Sequence, residues 1–215
     1  MHKKLTEQEK ARIKEAVKKT EQTTSGEIVT FFVDKSGNYI ETALLSGIYT
    51  VIAFIILTNI LSYYWLLPFK LRIFDFSLYL ILTFASIFLI SYFIKPIKRI
   101  LIQKEKKVNT VHSKAVEAFV NEEVFNTKDR TGVLIFISSF EHQVEIITDK
   151  GINKFLKSEE KTELISLIIK GIKTKNIADG IVQAIHLYGN LMVKAGFNIK
   201  SDDKNELPDD IKTEI

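Results

Sequence analysis

The sequence predicts an α/β fold, a mixed β-sheet flanked by helices, interrupted by a two-helix transmembrane hairpin. Three observations predict it. Two uncharged apolar runs, Ala43–Leu67 and Phe76–Ile94, follow each other closely. Runs rich in β-branched and aromatic residues stand on either side of them, at Glu27–Val33, Gly132–Ser138 and Gln143–Thr148. Segments with apolar residues at helical spacing separate those runs.

The two apolar runs come first in the argument because they divide the chain. A helix needs about 20 apolar residues to cross the hydrocarbon layer. Leu, Ile, Phe and Val each favour insertion by about 0.3–0.6 kcal/mol at the helix centre, so a dozen give on the order of 5 kcal/mol. A pair of buried core helices is the alternative, but such helices normally carry a polar stripe and these do not. Ser46, Thr50, Thr58, Asn59, Ser86 and Ser91 can bond within their own helix or across to the other. Tyr63, Tyr64 and Trp65 at one end, and Tyr92 and Phe93 at another, read as anchors at the headgroup level. Pro68, Lys70, Arg72 and Asp75 form the connecting loop.

Basic residues set the expected orientation. Lys18, Lys19 and Lys35 precede the first span, and Lys95, Lys98, Arg99, Lys104, Lys106 and Lys107 follow the second. Only Lys70 and Arg72 lie between. The positive-inside rule then places both termini in the cytoplasm and the loop outside, in a multi-pass protein of the inner (plasma) membrane. Residues 95–107 can also meet anionic lipid, at about 1 kcal/mol per well-placed charge.

The remaining elements follow in order. Leu5–Thr20 reads as a helix: Thr6 and Glu9 make a capping box, and Ile13, Ala16, Val17 and Thr20 share one face. Glu27–Val33 reads as a strand. Val108–Phe125 reads as a helix with Val111, Ala115, Ala118 and Phe119 on one side. Gly132–Ser138 is nearly all apolar, as in a strand covered on both faces. Gln143–Thr148 pairs with it as a hairpin, closed by Asp149-Lys150-Gly151. Ser158 caps a helix to about Ile172, with Glu159 and Glu160 at its positive end. Asn176 starts another, with Ile177, Ile181, Ile185, Tyr188 and Met192 in helical register.

A lone strand cannot complete its hydrogen-bond ladder, so the Glu27 strand is expected to join the later hairpin. The expected organisation is a split α/β domain over residues 1–42 and 96–200, a transmembrane hairpin over 43–95, and an acidic flexible tail over 201–215. A net charge of +4, concentrated beside the apolar runs, reads as topology and not as nucleic-acid binding. Cysteine is absent, which removes disulfides, thiolate catalysis and Cys-ligated zinc. The first apolar run begins only after about forty mostly charged and polar residues, unlike a cleavable signal.

Several stretches together resemble the TPM domain. They are Ser25-Gly26-Glu27-Ile28, Asp129-Arg130-Thr131-Gly132-Val133-Leu134, the hairpin end Asp149-Lys150-Gly151-Ile152, and Ala178-Asp179-Gly180. Their order and spacing are similar to those of a bacterial membrane subgroup in which two spans interrupt the domain. The resemblance implies a TPM-like α/β sandwich. It also implies, for some members, phosphatase activity, and for others calcium held near acidic loops at one edge of the sheet. The hairpin after the first strand departs from the secreted members and alters the loop beside that edge.

Asp129, Asp149 and Asp179 are the candidate metal ligands. Asp149 leaves a strand and Asp129 precedes one, and ligands of α/β sheets sit where loops meet strand ends. Three converging carboxylates could hold calcium or another divalent cation, which would polarise a phosphoryl oxygen and orient water. Each also has a local reading: Asp129 bonding its own loop, Asp149 as a turn residue, Asp179 at a helix N-terminus. His2, His112, His142 and His186 show no ligand spacing, and Ser138 and Ser139 lack the setting of a nucleophile elbow. Gly171-Ile172-Lys173-Thr174 lacks the upstream glycine of a phosphate loop, and Asp202, Asp203, Asn205 and Glu206 lack the turn glycine of a calcium loop.

Two functions are therefore expected. One is a membrane-anchored TPM-domain protein, an interaction or regulatory module at the cytoplasmic membrane face with a membrane-protein partner. The alternative is a divalent-cation-dependent phosphatase of low specificity.

Overall fold

The computed structural model describes residues 5–64, 72–199 and 206–214. The expected loop residues Pro68 and Lys70, the anchor Trp65, His2, and Asp202, Asp203 and Asn205 lie outside those residues. The chain forms two compact units, Met1–Gly37 with Lys107–Ile215, and Asn38–Lys106.

The first unit is a mixed α/β sandwich. Its strands are β1 (Glu27–Val33), β2 (Gly132–Ser138), β3 (Gln143–Thr148) and β4 (Lys212–Glu214), in sheet order β3-β2-β1-β4. β1 runs parallel to β2, with Glu27 opposite Gly132 and Val33 opposite Ser138. β2 and β3 are antiparallel, as their hairpin requires. The Glu27 strand thus joins the hairpin as its composition predicts.

Side chains of a strand alternate between faces, and the core follows that period. Ile28, Val133, Ile135, Ile137, Val144 and Ile146 point to one face. There they meet Ile13 and Val17 of α1 (Glu7–Glu21), Leu164 and Ile168 of α7 (Ser158–Lys173), and Ile181, Ile185 and Tyr188 of α8 (Ile177–Lys194). Val29, Val33, Leu134 and Phe136 point to the other, against Val111, Ala115 and Ala118 of α5 (Lys104–Asn121). Every residue of β2 is buried, which accounts for its unbroken apolar sequence. The α1 capping box forms as expected: Glu9 N donates to Thr6 Oγ1 at 3.2 Å, and Thr6 N donates to Glu9 Oε2 at 2.8 Å. α7 starts at Ser158, with Lys157 in the cap position and its N–H donating to Glu160 Oε2 at 2.8 Å.

The acidic tail is a correction. Residues 206–214 are not a loose end: Leu207 and Ile211 are buried, and Lys212–Glu214 pairs in parallel with Phe31–Val33. The pairing comes from an available sheet edge, which a short polar segment can fill without any apolar pattern of its own.

The second unit holds α2 (Ile40–Tyr63), α3 (Ile73–Phe93) and α4 (Lys95–Leu101). At 1.5 Å per residue, α2 and α3 reach about 36 and 31 Å, enough to cross about 30 Å of hydrocarbon. They pack on each other antiparallel: Ser46 and Ser91 hydroxyls lie 2.9 Å apart, and Phe54 stacks on Phe76 at 6.3 Å. Their outer surfaces are apolar, with Ile52, Ile56, Ile60, Ile81 and Leu89 exposed. Thr50, Thr58, Asn59 and Ser77 bond back to carbonyls of their own helix, which satisfies those donors without water. α2 starts earlier than the uncharged run, at Ile40, because Glu41 in its first turn is held by Lys106. α3 likewise takes Asp75, assigned to the loop by its charge, into its first turn. Lys98 lies over the Tyr92 ring at 4.8 Å.

Candidate functional site

β3 ends and β2 begins at the same edge of the sheet, and two loops interlock there. Asp149 caps α6 (Lys150–Asn153): its Oδ1 accepts from Lys150 N at 2.6 Å. Its own N–H donates to Gly132 O at 2.9 Å, which ties the end of β3 to the start of β2. Arg130 comes from the loop before β2 and sets its Nε 2.9 Å from Asp149 Oδ2. Arg130 has φ +57°, a left-handed conformation that costs a non-glycine residue on the order of 1 kcal/mol. Gly151 N donates to Arg130 O at 3.0 Å and helps fix that conformation. A Cβ at Gly151 would lie 2.5 Å from Arg130 O and 2.6 Å from Asp129 O, so only glycine lets the loops close. Lys161 of α7 adds a second cation nearby, 3.2 Å from Asn153 Oδ1.

The three expected metal ligands have different surroundings. Asp149 is buried and neutralised by Arg130. Asp129 is exposed in the adjoining turn. Asp179, in the first turn of α8, accepts from Arg12 Nη2 of α1 at 2.6 Å, a contact that ties two helices together. Among the described residues no three His, Asp or Glu side chains gather as a cation site. A divalent ion would have to compete with an arginine for two of the three carboxylates. The set does not fit the cation that the resemblance implies, and no chemical step is drawn through one.

A second polar cluster lies at the start of β1, and sequence reasoning missed it. Glu21 ends α1 and is largely buried; its Oε1 accepts from Ile28 N at 2.8 Å. Burial pushes the Glu21 carboxyl up to about 9, with Glu27 and Asp209 adding to the rise and the Ile28 N–H opposing it. Tyr188 of α8 is fully buried nearby, and burial, Glu21 and Glu27 all raise its hydroxyl far above the usual phenol range. One signal was available: Glu21 stands four residues after Val17 and eight after Ile13, on the inward face of α1.

The architecture is that of a mixed α/β sandwich that carries a helical insertion between two neighbouring parallel strands. Residues 99–191 match the family model of the TPM domain, so the chain carries a TPM domain. The match starts within α4 and ends within α8; α1 and β1 complete the sandwich from outside it. The fold is also similar to the solution structure of the BA42 protein from the psychrophilic bacterium Bizionia argentinensis. That likeness has a TM-score of 0.59 and 20% identity over 100% of this chain and 98% of the other, and it shows the fold alone. No curated protein matches this chain.

Proposed function

We propose that this chain is a membrane-anchored TPM module that holds a membrane-protein partner at the cytoplasmic face. One observation carries the reading: α2 and α3 are long, uncharged through their centres, and apolar on their outward faces. Left in water, each exposed Leu or Ile would forgo about 1.5–3 kcal/mol of burial. A bilayer removes that penalty. The positive-inside rule supports termini in the cytoplasm. The placement of the carboxylates favours holding over hydrolysis, because arginines already occupy Asp149 and Asp179.

The absence of cysteine supplies the test. Single thiols at Lys35, Lys70 and Lys128 are exposed to an impermeant reagent on intact cells. Labelling at Lys70 alone is expected. Labelling at Lys35 or Lys128 would overturn the orientation. The holding role is read by photo-crosslinking in membranes from the exposed Phe155 on the soluble unit; a discrete adduct is expected, and a smear or none overturns it. Phosphate-ester hydrolysis by the purified protein, abolished by Asp149→Asn, would overturn it in favour of catalysis.

A further inference from the structure

α4 is an amphipathic helix turned inside out. At helical spacing Pro96, Ile97, Ile100 and Leu101 fall on one side, and Lys95, Lys98 and Arg99 on the other. A helix packed for water buries the first side and exposes the second. Here Ile100 is 80% exposed and Leu101 40%, while Lys98 is only 7% exposed. The Lys98 ammonium lies over the Tyr92 ring of α3. α4 thus grips its own hairpin with a cation and turns apolar side chains outward.

Two further features say what that outward side meets. It continues the apolar outer surface of the hairpin: Phe93 and Ile94 are exposed too, and Ile94 is at once the C-cap of α3 and the N-cap of α4. The chain bends there, because Ile94 is extended (φ −87°, ψ 95°), so α4 leaves the axis of α3. A short helix that departs from a span at a bend, apolar side outward, fits the boundary between headgroups and acyl chains. The second feature is charge. Residues 95–106 carry Lys95, Lys98, Arg99, Lys104 and Lys106 against Glu105 alone. Lys106 pairs with Glu41 at the start of α2, and a positive surplus still remains. Long basic side chains beside an apolar face carry their charge to headgroup level.

We propose that α4 lies flat in the headgroup layer of an anionic leaflet, with Ile100 and Leu101 among the acyl chains and Lys95, Arg99 and Lys104 against phospholipid phosphates. The ligand is an anionic glycerophospholipid. The assignment rests on the hairpin crossing the bilayer as proposed above, and adds which lipid gathers at its cytoplasmic end. Lys98 has a different part: from the Tyr92 ring it positions α4 against α3. Each well-placed cation enriches an anionic lipid over a neutral one by about fivefold.

The test uses the full chain in lipid nanodiscs, where the absence of cysteine allows single labels. Ile100→Cys carries a bimane on α4, and Ile56→Cys carries one on the outer face of α2, where Ile56 is exposed. Each is quenched by phosphatidylglycerol or by phosphatidylcholine bearing a nitroxide on an acyl chain, at equal mole fraction. The Ile56 label should be quenched equally by both lipids. The Ile100 label should be quenched by both, with the anionic lipid enriched about fivefold or more around it. Adding Lys95→Gln, Arg99→Gln and Lys104→Gln together should bring that enrichment close to parity. Salt at about 1 M should weaken it in the unsubstituted background. An Ile100 label that neither lipid quenches, that both quench equally, or whose enrichment survives the triple change overturns the assignment, even with the span intact at Ile56. An Ile56 label that neither lipid quenches overturns the membrane reading itself, and this assignment with it.

Discussion

Glu21→Gln is expected to stabilise the soluble unit at neutral pH and leave it unchanged in acid. The free carboxyl titrates at 4.5 and the folded one at about 9. Between those values the unfolded chain has released its proton and the folded chain has not. A carboxyl raised on folding therefore contributes no penalty below 4.5, and stability is lost as pH climbs from there toward 9. Each pH unit in that window costs about 1.4 kcal/mol, so the limit at about pH 7.5 is roughly 4 kcal/mol. Glutamine keeps the acceptor for Ile28 N–H and cannot ionise. A gain of about 2–4 kcal/mol at pH 7.5 is expected, a rise in Tm of roughly 5–10 °C for a unit of this size. The assay is thermal unfolding of the purified chain by near-ultraviolet circular dichroism, at neutral pH and at about pH 4. The infrared carbonyl band of a protonated carboxyl, present in the wild type at neutral pH and lost in the variant, reports the proton directly. A variant that melts at or below the wild type at pH 7.5, or a gain that persists in acid, would refute the reasoning.

Other outcomes follow from single contacts. Ser46→Cys with Ser91→Cys should form a disulfide on mild oxidation, since the two hydroxyls lie 2.9 Å apart; mobility on non-reducing gels reads it. Gly132→Ala should destabilise the sheet by more than about 2 kcal/mol, because a Cβ there would lie 1.9 Å from Val124 O; protease resistance of the soluble unit reads the loss. Ile181→Ala, at a fully buried position between helix and sheet, should cost about 2–5 kcal/mol by the same assay. Arg130→Ala should cost about 1–3 kcal/mol and Asp149→Asn less, since the first strands a buried carboxylate and the second removes the charge.

Much of this fold was legible because its elements declare themselves locally. Gly132–Ser138 is apolar throughout and is buried throughout. Thr6 and Glu9 cap α1 as their spacing demands. The uncharged runs became the two long apolar helices. What stayed hidden depends on distant partners. Lys212-Thr213-Glu214 has no strand pattern and forms one only because β1 leaves an edge open. Asp179 reads as a ligand until Arg12, far away in sequence, is found beside it. Asp149 reads as a ligand or a turn residue until Arg130 is seen folded back onto it in a left-handed conformation. Glu21 falls one residue past the expected helix end at Thr20 and drew no reading, although its place on the inward face of α1 marks it as costly.

β1 and β2 are neighbours in the sheet, yet the whole hairpin is synthesised between them. Ribosomes add about 5–20 residues each second, so β1 spends on the order of 5–20 seconds without its partner strand. Throughout that interval Phe31, Phe32 and Val33 form the end of an unmatched apolar strand, ready to pair with whatever extended chain is near. Biogenesis of this protein is thus a matter of timing. In the membrane-anchored protein proposed above, delivery of the hairpin to the bilayer must be faster than the search of the first strand for a wrong companion.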